Sequence, residues 1–138
     1  MNTNDLTICL RLAGVLHLGL LCAGLTMSRV VSLRQHLALV PIFVRRLFWV
    51  YYTFIGLCLI GFGLLTFAFA PQLAAGSGLA RALCGFFALF WLLRLAVALW
   101  VLDARPYLTS GWLRLGYHAT NIVFSLLPMV YAWAALRR

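Results

Sequence analysis

The chain contains no lysine and no glutamate, and its only acids are Asp5 and Asp103. Adjacent carboxylates for paired acid–base work are therefore missing, as is a glutamate-based HExxH metal motif. Charged residues make up 9% of the 138 positions, against 65% hydrophobic. A soluble domain of this size could not hide so much apolar surface, because small folds leave a large fraction exposed. Four cysteines occur, Cys9, Cys22, Cys58 and Cys84, all within apolar runs, with no CxxC pair and no metal-ligand spacing. They read as small hydrophobes, with neither a disulfide nor a metal expected. The opening Met-Asn-Thr-Asn-Asp lacks the basic region of a signal peptide, so the first apolar run is expected to remain as a transmembrane helix.

What is present is length of hydrophobicity. Uncharged or nearly uncharged runs cover approximately residues 6–27, 48–70, 82–102 and 112–136. Each is about 21–25 residues, enough for a helix to cross ~30 Å of hydrocarbon. Barrel strands would be about half as long and would alternate in polarity. The expectation is an all-α membrane protein, a four-transmembrane-helix bundle forming one domain over residues 1–138. Interfacial positions carry the aromatic residues of a membrane belt: Trp49, Tyr51 and Tyr52; Trp100 and Tyr107; Trp112 and Tyr117; Tyr131 and Trp133. Trp91 is the exception, since it falls deep within the third run.

The formal charge is +9, and all eleven basic residues are arginines. In a soluble protein this balance would point to nucleic acid. Here the arginines flank apolar runs, so no nucleic-acid role is expected, and they read as topology signals and contacts for anionic lipid headgroups. The connection 28–47 carries Arg29, Arg34, Arg45 and Arg46, with Val30, Leu33, Leu37 and Val40 at helical spacing. It reads as a short amphipathic helix on the membrane surface, with Pro41 starting the next span. The connections after the first and third spans hold Arg29, Arg34, Arg45, Arg46, Arg105 and Arg114, against Arg11, Arg81, Arg137 and Arg138 at the other end. Positive-inside counting puts both termini outside the cytoplasm. The arginine-only basic set and short length fit a bacterial inner membrane.

Arg94 is the one charge inside the third run. An arginine near a bilayer centre costs about 2.5–3.5 kcal/mol on insertion scales, so something must compensate it. Counting back from Asp103, it lies ~13 Å below the face bearing the first and third connections. Asn121 has a similar depth, and His17 lies ~15 Å from the same face. Arg114, His118, Asn121 and Ser125 follow steps of four, three and four on the last helix, a polar stripe on one side. Ala13, Gly14 and Gly24 flank His17 with small residues that let another helix approach. These observations suggest a pocket of Arg94, Asn121, Ser125 and His17, with His118 and Tyr52 nearby. The alternative is structural: Arg94 held by carbonyls, Asn121 and the Trp91 ring, serving only helix register. Asp103 is expected to pair with Arg105 or Arg114 at a helix end.

Two functions follow from these alternatives. The first is a non-enzymatic accessory or assembly component, with Arg94 pairing with a carboxylate on a larger membrane partner or organising the bundle. The second is binding or transport of a small anionic or amphipathic ligand, such as a lipid headgroup, carboxylate or quinone, for which a homo-oligomer would be required. A haem b reading is disfavoured, because only His17, His36 and His118 exist and they lie at different depths. No nucleophile–base arrangement appears, so no catalytic residue and no cofactor are expected.

Overall fold

The computed structural model describes residues 2–102 and 105–137, without the side chain of Arg105. The expected pairing of Asp103 and the charge of Arg138 lie outside the described residues. Helix α1 spans Thr3–Val30. Asp5 sits in its first turn and accepts the Asn2 backbone N–H at 2.9 Å, so its charge meets the positive end of the helix dipole. Ser32 then adopts a left-handed conformation with φ 50°, and helix α2 covers only Leu33–Ala38. Of the connection 28–47, read from the sequence as carrying a surface helix, only these six residues form a separate helix before α3 begins. The N-terminal part of that connection is the end of α1, and the left-handed serine separates the two helices.

Helix α3, Ile42–Ala68, begins directly after Pro41. It starts well before the apolar run because Arg45 and Arg46 are good helix formers, and the backbone stays helical after hydropathy has fallen. Helix α4, Ala70–Ala75, follows at once with a proline in its first turn, where the missing N–H has no intrahelical acceptor anyway. Pro71 thus acts as a helix start. Gly76, at φ 72°, ends α4 in the left-handed region that glycine adopts freely. Helix α5, Gly78–Trp100, is capped by Ser77, whose Oγ accepts the Ala80 N–H at 3.3 Å. A 3₁₀ turn at Arg105–Tyr107 precedes helix α6, Gly111–Leu136, capped in the same way by Ser110. Four helices, α1, α3, α5 and α6, are long and apolar enough to cross a membrane, and no strand occurs among the described residues. The fold is an all-α four-helix bundle of multi-pass membrane type.

The bundle is built from two helical hairpins, α1 with α3 and α5 with α6. The first is set by glycine. A Cβ on Gly14 would lie 2.9 Å from the Gly63 carbonyl oxygen and from the Phe67 backbone nitrogen. One on Gly63 would lie 3.0 Å from the Gly14 carbonyl oxygen. Backbones touch at this crossing, which only small residues permit. Gly19, Gly24 and Gly61 face open space, so the crossing is a single point rather than a glycine stripe.

The hairpins meet where α1 packs on α6 and where α4 packs on α1 and α5. Burial follows that contact. The buried residues of α1 run from Leu6 to Leu20, those of α3 are Gly63 and Thr66, and those of α6 run from Phe124 to Ala134. On α5 they are Ala80, Cys84, Phe87, Trp91 and Ala98. All but Ala98 lie between the middle of the bundle, at Leu20, Trp91 and Phe124, and the end that holds α4 and the chain ends. There the Arg81 Nε donates to the Ala135 carbonyl at 3.0 Å, and the Arg137 Nη2 donates to the Thr3 Oγ1 at 3.3 Å. Toward α2 burial between the hairpins runs out, with only Ala98 buried on the four long helices, and this uncovered region is called the wedge below.

Candidate functional site

The floor of that wedge is a knot of polar and aromatic side chains. His17 is fully buried, and one turn back along α1 its Nδ1 donates to the Ala13 carbonyl at 2.7 Å. Its Nε2 accepts the indole N–H of Trp91, on α5, at 3.2 Å. A nitrogen that accepts an N–H carries no proton, so this pattern requires the neutral imidazole with its hydrogen on Nδ1. Trp91 is 1% exposed, because its one polar atom finds this partner. Beside it, the hydroxyls of Thr66 on α3 and Tyr131 on α6 bond at 2.7 Å, both 0% exposed. The His17 and Tyr131 rings sit edge to face at 6.2 Å, and Phe87 completes the packing on Tyr131 at 5.2 Å. Each of the two buried side-chain bonds joins one hairpin to the other. In a medium without water such bonds are worth about 0.6 kcal/mol on average and up to about 1.7.

Arg94 lies next in this series. It follows Trp91 by three residues and continues the seam Ala80, Cys84, Phe87, Trp91 that α5 turns inward. Unlike those residues it is exposed. Its guanidinium carbon stands over the Phe124 ring, 5.4 Å from the centroid, and Phe124 in turn stacks on Trp91 at 5.7 Å. His17 and Arg94 are therefore linked through two aromatic rings. The cation–π contact is made by Phe124 of α6, where the sequence had offered Trp91.

The other residues of the expected pocket are distributed. Asn121 is half-buried on α6, and its carbonyl accepts the hydroxyl of Ser125, which is exposed. The stripe from Arg114 to Ser125 runs beside the buried face of α6 rather than on it, that face being Phe124, Leu127, Pro128 and Tyr131. His118 is exposed and lines an open hollow of about 390 Å³ with Leu108, Arg114 and Tyr117. There Arg114 Nε donates to the Leu108 carbonyl at 3.3 Å, and the Tyr117 and His118 rings meet edge to face. Tyr52 bonds within its own hairpin, to the Ser28 hydroxyl and to the Gly24 carbonyl at 3.2 Å. Arg29, Arg34 and Arg46 are exposed and Arg45 half-exposed around α2 and the start of α3.

Two members of the knot escaped the sequence reading. Tyr131 was assigned to the aromatic belt but is a core residue, and Thr66 was not singled out. The available signal was the spacing of Phe124, Leu127, Pro128, Tyr131 and Ala134, which places Tyr131 on the inward seam.

The His17, Thr66, Trp91 and Tyr131 constellation holds no nucleophile paired with a base, and no group of His, Cys, Asp or Glu able to hold a metal occurs among the described residues. No family model matches the chain, and neither a curated protein nor a solved structure is significantly similar to it. Fold and surface define a class only: a small multi-pass membrane protein with a tied core and an open, arginine-bearing wedge.

Proposed function

We propose that the protein is a non-enzymatic accessory or assembly component of a membrane, acting by association with a larger integral partner. The observation that carries this reading is the contrast between core and wedge. The polar side chains at the centre are consumed in tying the hairpins together, whereas Arg94, one turn from Trp91, stands exposed beside them. A group engaged at both nitrogens, as His17 is, offers nothing to a substrate or a metal until that network breaks. Arg94 is oriented by Phe124 and presents a guanidinium to whatever enters the wedge.

The arginine distribution supports an orientation as well. Arg29, Arg34, Arg45, Arg46 and Arg114 crowd the α2 end, against Arg11, Arg81 and Arg137 at the end with both chain termini. We read the α2 end as cytoplasmic, in contact with anionic headgroups, in a bacterial inner membrane. The test is purification from native membranes in mild detergent, followed by native mass spectrometry. A stoichiometric complex with a second integral membrane protein is the expected result. An isolated chain carrying a bound small anion or quinone, with no protein partner, would overturn the proposal in favour of ligand binding.

A further inference from the structure

Resting on that reading, we infer that the wedge is the seat of one transmembrane helix of the partner, which brings a carboxylate to Arg94. Four observations converge. First, apart from Ala98 no residue of the four long helices is buried beyond Leu20, Trp91 and Phe124 toward α2, so the two hairpins leave apolar surface uncovered around Arg94. Second, the side chains next to Arg94 on the inward seams of α5 and α6 are apolar, Trp91, Ala98 and Phe124, with the half-buried Asn121 one turn from Phe124. An apolar face with one fixed cation fits an apolar helix with one acid.

Third, the chain cannot supply the acid to itself as a second copy. Its only carboxyl side chains are Asp5 and Asp103, and neither lies in an apolar run. Fourth, depth argues against a headgroup phosphate. Arg94 stands six positions before Trp100, the last residue of α5, so ~9 Å below the helix end at 1.5 Å per residue. Helical side chains lean toward their N-terminus, and for α5 that direction leads further from the α2 end. The guanidinium is thus directed down onto Phe124 and away from the nearer headgroups. A carboxylate carried on a helix reaches that level without deforming the bilayer.

The pairing is tested in phosphatidylcholine nanodiscs, in mildly alkaline buffer, with two labelled Leu/Ala transmembrane peptides. One carries a single glutamate at the depth of Arg94 and the other glutamine, and association is read by energy transfer. The glutamate peptide is expected to bind about tenfold more tightly than the glutamine peptide. The preference disappears in Arg94→Leu and survives in Arg94→Lys, which keeps the charge and separates its loss from a folding defect. Equal binding of both peptides to the natural chain overturns the inference. So does a preference that persists in Arg94→Leu, and so does one abolished by replacing phosphatidylcholine with phosphatidylglycerol, which would assign Arg94 to lipid phosphate. This outcome is separable from the broader proposal: a native partner retained by Arg94→Leu leaves the accessory role standing and removes the wedge from it.

Discussion

Alanine at Gly14 and alanine at Gly19 should move stability in opposite directions, although both glycines lie in α1. At Gly14 the new methyl would stand 2.9 Å from the Gly63 oxygen, the Phe67 nitrogen and the Phe67 Cβ. Two of these atoms are backbone of a packed helix and cannot rotate aside, so α1 and α3 must separate along the crossing. Overpacking of this kind costs about 1–3 kcal/mol. Against it stands the gain of up to about 1 kcal/mol from replacing a helical glycine with alanine. The net expectation for Gly14→Ala is a loss of up to about 2 kcal/mol, the difference between those two effects. At Gly19 nothing lies within 4 Å of the added carbon, so only the propensity gain remains. Gly19→Ala should be neutral or stabilising by up to about 1 kcal/mol. The assay is reversible unfolding in mixed micelles followed by helical circular dichroism, with both variants measured beside the natural chain. Gly14→Ala matching Gly19→Ala would refute the close crossing and, with it, the geometry of the first hairpin.

Other consequences follow from the same contacts. A double-mutant cycle of Thr66→Val and Tyr131→Phe should give a coupling of about 0.6–1.7 kcal/mol in the same unfolding assay, and zero coupling would mean the two hydroxyls do not bond. Trp91→Phe removes the donor to His17 and leaves Nε2 buried without a partner, a loss of about 1–3 kcal/mol by thermal or denaturant unfolding. In single-tryptophan chains, brominated lipid should quench Trp100 strongly and Trp91 little, since the first is exposed and the second enclosed. Replacing Arg29, Arg34, Arg45 and Arg46 together with glutamine should reduce co-purified anionic lipid, measured by lipid mass spectrometry, because each arginine near the surface contributes about 1 kcal/mol.

The class of fold was legible because hydropathy alone dictates it: four runs of membrane-spanning length leave little choice of architecture. Boundaries were less so. The α3 helix begins six residues before its apolar run, at Ile42 rather than Phe48, because hydropathy reports the solvent while helix formation reports the backbone. The α4 helix was hidden because the apolar pattern passes through Ala70 without a break, and Pro71 suits a helix start as well as a stop. For the site, sequence gave depth but not direction. Arg94, Asn121 and His17 share a level, yet which way each points depends on how the hairpins diverge, and that depends on α4 and the Gly14–Gly63 crossing. The small neighbours of His17 did mark it as inward-facing, and the depth of Trp91 set it apart from the belt. That these two bond to each other was not readable, since partners on separate helices carry no local signature.

A charge exchange at position 94 reaches the central claim with the fewest intermediate assumptions. In nanodiscs, Arg94→Glu should lose its preference for the glutamate-bearing transmembrane peptide and gain one for the same peptide carrying lysine. The preference should shift by about tenfold in each direction. Undiminished binding of the glutamate peptide to Arg94→Glu would contradict the account, because an interaction indifferent to the sign of that residue is not held by it.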